Sequence, residues 1–146
     1  MYVLSLFIIF YMYAALRAAI RMLSAGQCSR RRLYEKLRAR RIPDADAAFA
    51  VETAYANGYI DEDWQLKSYI RTLTAQKQYG PRRLHAALAA KGYRGDDIRR
   101  AMEENFGAEE IRAARRAFLE KKFGKTAPET REEAAAMRQA LYKQGF

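Results

Sequence analysis

Seven cationic side chains crowd twelve positions of this chain: Arg30, Arg31, Arg32, Lys36, Arg38, Arg40 and Arg41. A planar guanidinium can bond a phosphate or a carboxylate through two parallel N–H groups, so such a cluster suits an anionic polymer or an acidic protein groove. Arg82 and Arg83 stand 51 positions after Arg31 and Arg32, Lys91 follows them, and Lys121, Lys122 and Lys125 add a further patch. At helical spacing Arg32, Lys36 and Arg40 share a face while Leu33 and Leu37 point elsewhere. One helix can therefore bury its leucines and present a cationic ridge. The candidate partner-binding residues are Arg30, Arg31, Arg32, Lys36, Arg40, Arg82, Arg83, Lys91, Lys121 and Lys122. A solvated charged face is the plain alternative, and recurrence of arginine at equivalent positions favours binding.

Covalent chemistry has no comparable support. His85, the only histidine, sits beside Leu84 with no acid three or four residues on, which reads as a packing or surface residue. The chain has no phosphate-binding glycine loop, no Cys/His metal spacing and no nucleophile elbow. Asp61-Glu62-Asp63 reads as a solvated helix N-terminus rather than a metal site, because acids there offset the helix dipole. Cys28 is the only cysteine, so no intrachain disulfide forms and a reducing cytosol is the natural setting. These features predict a cytoplasmic binding protein that is not an enzyme and uses no cofactor, metal or small-molecule substrate. The formal net charge of +10 over 146 residues is spread along the chain, as an extended anionic partner requires.

The elements that would position these arginines follow from a repeat. Residues 29–55 align without a gap on residues 80–106. Arg31, Arg32, Leu33, Leu37, Ala39, Asp46, Ala50 and Glu52 match Arg82, Arg83, Leu84, Leu88, Ala90, Asp97, Ala101 and Glu103. A fixed period signals a modular array in which each unit buries its apolar face against its neighbours. Each module reads as three helices. In the second, Asp61-Glu62-Asp63 opens a helix whose inward face is marked by Trp64, Ile70 and Leu73. Gly80-Pro81 starts the next, with Leu84 and Leu88 buried and Gly92 as its stop, and Asp96-Asp97 opens the third, with Ile98, Met102 and Phe106 inward. In the first, Ser29 caps, Leu33 and Leu37 are buried, and Pro43-Asp44 starts a helix carrying Ala47, Val51 and Tyr55. A third module has helices near 108–122 and over Met137 and Leu141, and Gly145-Phe146 echoes Gly92-Tyr93.

The predicted fold is all-α: a tandem repeat of three-helix modules, elongated and curved, with the third module truncated. Its divisions are an apolar extension over 1–12, modules over 13–60 and 61–106, and a partial module over 107–146. With its last helix missing, the third module should be the loosest part of the chain. The uncharged run Met1–Leu16 falls short of the roughly 20 residues of a spanning helix, and it lacks the basic start and small-residue cleavage site of a signal peptide. The repeat register assigns Tyr13–Ala25 to the first helix of the first module. Membrane contact is the lesser reading of the remainder.

The segments GYIDEDWQLKSYI (58–70) and KQYGPRRLHAALAAKGY (77–93) resemble the central signature of the RecX regulatory proteins: a glycine-aromatic pair, an acidic turn, an aromatic-bearing helix, a Tyr-Gly-Pro turn and a leucine helix ending Lys-Gly. LSAGQCSRRRLYEKL (23–37) is similar to the module before it, and KKF (121–123) with LYKQGF (141–146) to the third. The resemblance spans about residues 13–146. It departs at Arg40-Arg41-Ile42, where Lys-Gly-aromatic is expected, and in the apolar start. It implies a monomeric modulator of the RecA recombinase, binding along the RecA–DNA filament and opposing ATP hydrolysis, strand exchange and the co-protease activity of the SOS response. A direct DNA-binding helical repeat protein with helix-turn-helix-like modules, holding duplex tightly, is the alternative. For a filament modulator, direct DNA binding would be weak.

Overall fold

The computed structural model describes residues 2–146, and among them every regular element is a helix. In order these are α1 (Tyr2–Ala25), α2 (Arg30–Ala39), α3 (Asp44–Ala56), α4 (Glu62–Lys77), α5 (Pro81–Ala90), α6 (Gly95–Asn105), α7 (Ala108–Phe123) and α8 (Arg131–Gln144). Local chemistry sets most of the boundaries. The Ser29 hydroxyl accepts from the Arg32 amide to cap α2, and the Asp61 carboxylate accepts from the Trp64 amide at the start of α4. Thr130 and Glu133 close a reciprocal capping box on α8. Proline at the first position of α5 gives up no bond that the helix would otherwise make.

The chain forms two compact units, Met1–Gln65 with Lys91–Tyr93, and Leu66–Ala90 with Arg94–Phe146. In the first, α1 lies against α3 and both pack on α2. The contact face of α3 is Ala47, Ala50, Val51 and Ala54, small enough to let the α1 residues Ala15, Ala19, Met22 and Leu23 come close. Leu33 and Leu37 are fully buried beside them; deleting either side chain should cost about 2–5 kcal/mol. Cys28 belongs to the same core. Burial pushes its thiol pKa up, and the nearby Lys36 and Arg32 charges only partly oppose this.

In the second unit α5 packs on α6 and α7 on α8. Its buried positions include Leu66, Ile70 and Leu73 of α4, Leu84 and Leu88 of α5, Ile98 and Ala101 of α6, and Leu141 of α8. Ile111, Phe118, Leu119 and Met137 are only half-buried. That is the lighter cover expected of this region, but the expectation fails at its end, where Leu141 is buried and Gln144 is held by hydrogen bonds.

Three further expectations are corrected. Trp64 does not share the inward face of Ile70 and Leu73: it is 61% exposed, and Leu66 takes that place. Tyr55 turns outward, while Ala54 beside it is buried. Glu62 is buried rather than solvated. The 51-residue offset nevertheless carries over to exposure, since Tyr13, the counterpart of Trp64, is also exposed, and Ala15, the counterpart of Leu66, is buried. The apolar extension, apart from Met1, which lies outside the described residues, is helical and continuous with the first helix of the module. Helix α1 runs unbroken from Tyr2, because nothing in the apolar run interrupts a helix, and its 24 residues are long and apolar enough to cross a membrane.

Arg41 has φ of 62°, in the left-handed region that Gly92 (φ 94°) and Gly145 (φ 98°) occupy at the ends of their own helices. A side chain there is strained by about 1–2 kcal/mol, partly offset by the greater freedom of glycine in the unfolded chain. Arg41→Gly should therefore raise stability by about 0.5–1 kcal/mol. Gly92→Ala should lower it by about 2–3 kcal/mol, since its Cβ would also stand 2.7 Å from the Ser29 hydroxyl oxygen. Urea unfolding of the two variants checks both signs.

Candidate interaction surface

The cationic helix α2 is anchored at its start by a carboxylate from another helix. Glu62 accepts from the Arg30 amide at 2.7 Å and from the Arg30 guanidinium at 3.3 Å. The guanidinium also lies 4.0 Å from the centre of the Tyr55 ring. Burial works against the Arg30 charge, and Glu62 beside it more than offsets this, holding its pKa above the ordinary value. A second clamp lies close by. Gln65, buried, donates to the Gln27 side chain and the Cys28 carbonyl, each at 3.3 Å, and accepts from the Tyr93 hydroxyl at 2.6 Å. The Ser29 hydroxyl donates to the Lys91 carbonyl at 2.9 Å.

The start of α5 is closed in the same way by the end of α8. The Gly80 amide donates to the Gln144 carbonyl at 2.9 Å and the Arg82 amide to the Gly145 carbonyl at 3.1 Å. The buried Gln144 amide donates to the carbonyls of Lys77 and Gln78, at 2.5 and 3.0 Å. Arg83 donates to the Gln144 side-chain oxygen at 2.7 Å and stacks over Tyr79. Arg82 donates to the Tyr142 carbonyl at 2.8 Å and stacks over the Tyr142 ring.

The sequence candidates therefore divide. Arg30, Arg82 and Arg83 are engaged in the protein's own packing, and Lys91 contributes its carbonyl to the Ser29 contact. Arg31, Arg32, Lys36 and Arg38 lie exposed along α2, and Arg40 and Arg41 lie exposed in the turn that ends it. Arg31 and Arg32 share Glu35, at 3.1 and 3.0 Å, in ion pairs open to solvent. Hydrogen bonds from Arg32 and Arg31 hold the Glu35 carboxyl below its ordinary pKa, so it remains an anion that orders the two guanidinium groups. Such exposed pairs are worth little to stability. Lys121 and Lys122 are exposed in the last turn of α7, with the Lys122 ammonium 5.7 Å from the centres of both the Phe118 and Phe123 rings. The structure collects Arg31, Arg32, Lys36 and Arg40 on one helix and its C-cap, whereas Arg82, Arg83, Lys121 and Lys122 belong to the second unit.

Glu62, Gln65, Tyr93 and Gln144 escaped sequence reasoning as positioning residues. The repeated glycine-aromatic pairs, Gly92-Tyr93 and Gly145-Phe146, were the available signal, since each contributes to the clamp of a helix start. His85 is half-buried on α5. Among the described residues no group of three or more His, Cys, Asp or Glu side chains could hold a metal.

The fold and surface define an all-helical protein whose organised feature is a cationic helix face. No protein-family model matches the chain. The regulatory protein RecX of Thermus thermophilus is 32% identical over 102 residues, 70% of this chain and 70% of its own length. That of Ectopseudomonas mendocina is 28% identical over 130 residues, 89% of this chain and 85% of its own. The crystal structure of RecX from Lactobacillus salivarius superposes with a TM-score of 0.81 over 93% of this chain and 88% of that one, at 19% identity. A second RecX crystal structure gives the same score at 22% identity, over 93% of this chain and 68% of its own. The chain belongs to the RecX family.

Replacing Glu62 with glutamine keeps the volume but removes the charge opposite Arg30. The loss should be about 1–2 kcal/mol of unfolding free energy, read by chemical denaturation, with little loss for Glu35→Gln.

Proposed function

We propose that this protein modulates the RecA recombinase by binding the RecA–DNA filament, restraining its ATPase, strand-exchange and co-protease activities. Membership of the RecX family supports this reading, and the observation that carries it is the exposed row Arg32, Lys36 and Arg40 along α2 and its C-cap, a helix whose start is fixed. A clamped helix presents its charges without a backbone-ordering cost on binding, leaving only that of the side chains. The three-module division, 13–60, 61–106 and 107–146, is part of the same proposal. Weak contacts from separate patches add through effective concentration, so no single patch need bind tightly. One patch comprises Arg31, Arg32, Lys36 and Arg40 at α2 and another Lys121 and Lys122 of α7. Arg82 and Arg83 are exposed but paired within their own unit, and Arg30 and Lys91 hold the start of α2.

The test is RecA ATP hydrolysis on single-stranded DNA, titrated with this protein in the cytosolic salt range. Inhibition is expected near stoichiometric levels, and its absence would overturn the proposal. The combined variant Arg32→Glu, Lys36→Glu, Arg40→Glu should shift the half-inhibitory concentration upward by about tenfold, equivalent to about 1.4 kcal/mol, with circular dichroism and Tm unchanged. Direct DNA binding predicts a different result: tight binding of bare duplex with a steep salt slope, independent of RecA.

A further inference from the structure

The first half of α1 is an apolar helix that nothing in the protein covers. Leu4, Leu6, Phe7, Ile8, Ile9 and Phe10 are between 49% and 72% exposed. Consecutive residues step by 100° around a helix, so this run presents apolar surface in every direction. A helical partner or protein groove takes up one stripe and leaves a polar face, whereas a helix apolar all round matches a uniformly apolar solvent. Tyrosines stand at both ends of the run, Tyr2 on one side and Tyr11 and Tyr13 on the other, all exposed. Tyr11 and Tyr13, where the run meets the charged part of the chain, are amphipathic rings of the kind favoured at the edge of a hydrocarbon layer. The first charges after the run, Arg17 and Arg21, are both cationic and exposed, and the cationic surface of α2 follows them in the chain. That polarity is complementary to an anionic lipid headgroup layer.

From this arrangement we infer that α1 is a membrane anchor, which inserts Tyr2–Ala14 into an anionic lipid bilayer and leaves the rest of the chain at the surface. The depth is set by packing. Ala15, Ala19, Met22 and Leu23 are buried against the core of the first unit and are not available to lipid. Thirteen residues at 1.5 Å each extend about 20 Å, against about 30 Å of hydrocarbon. The helix therefore enters from one side and stops past the midplane. Arg17 and Arg21 lie at the headgroup level, where their long side chains can reach the phosphates. A cleaved secretory signal is a poorer account of the same residues, because α1 continues without a break into the turns that pack on α3. This inference is independent of the RecA reading: a tether changes where the cationic surface operates, not what it binds.

Flotation with vesicles tests it. The full chain, purified in mild detergent, is mixed with vesicles of phosphatidylcholine and phosphatidylglycerol at 3:1, freed of detergent and spun through a density gradient. Most of the protein is expected to rise with the vesicles, and Ile9→Glu with Phe10→Glu should reduce the floating fraction at least fivefold while leaving the protein soluble and helical. Arg17→Glu with Arg21→Glu should weaken flotation on the anionic vesicles. Wild-type protein that stays in the soluble fraction as a monomer, self-associates through α1 into a soluble oligomer by light scattering, or pellets without lipid would each overturn the anchor. So would flotation of the Ile9→Glu, Phe10→Glu variant equal to that of the wild type.

Discussion

The starts of α2 and α5 are each completed by a segment distant in sequence, and the placement of the cationic side chains depends on this. A helix N-terminus leaves its first amides unpaired. At α2 they meet Ser29, within the turn, and Glu62, from 32 residues away. At α5 the donors around the start meet the carbonyls of Gln144 and Gly145, more than 60 residues away. The carbonyls just upstream are satisfied too, by the side chain of Gln65 in one case and of Gln144 in the other. Both solutions need a chain that can approach closely and turn sharply, which is why Gly92 and Gly145 stand beside the two helix starts with φ near 95°. The same constraint is met by different residues, a carboxylate in the first unit and backbone carbonyls in the second.

That constraint divides the arginines into two sets. Three arginines in the first turns meet the incoming segment and become part of the clamp: Arg30 with Glu62 and Tyr55, Arg82 with Tyr142, and Arg83 with Gln144 and Tyr79. Arg31 and Arg32, also in the first turn of α2, and Lys36, Arg38 and Arg40 beyond it are exposed. Composition cannot distinguish the sets, because the same residue type serves both. What separates them is the segment that reaches them. Residues 31–32 and 82–83 are both second and third in their helices, yet only Arg82 and Arg83 pair with an incoming segment, the end of α8, so the repeated pair is not equivalent in use. Arg31 and Arg32 are steered by Glu35, four and three residues on; the residue at the corresponding place in α5 is Ala86.

This explains what the sequence disclosed and what it withheld. Helix positions and the leucine pairs of α2 and α5 were legible because each rests on spacing within about ten residues, and the offset of 51 residues because identities recur without a gap between 29–55 and 80–106. The left-handed turn at Arg41 could be anticipated only as a departure from Lys-Gly-aromatic, since arginine carries no signal of its own for that conformation. Trp64 was misplaced although spacing excludes it. Six residues before Ile70 is about 120° away from that face, its own helical neighbours Lys67, Ser68 and Arg71 are polar, and Leu66 stands at the correct spacing. The burial of Glu62 and Gln144 was beyond local reasoning altogether: each is a polar residue made tolerable in the interior by partners 32 and more than 60 positions away. The candidate surface was therefore legible as a set of charges and illegible as a division of labour.

Helix α1 shows how one continuous element can carry two incompatible requirements. Its second half must be narrow, since Ala15 and Ala19 face the alanines of α3, and a larger side chain at either place would push the helices apart. Its first half meets no such neighbour and bears Phe7, Ile8, Ile9 and Phe10. The change falls within a single turn around Tyr13–Ala15, with no glycine or proline to hinge it. Whatever receives the apolar half is therefore coupled rigidly, through the α1–α3 contact, to the core that supports α2. An insertion that tilts α1 would turn the cationic ridge with it, so the helix fixes the orientation of the surface as well as its location.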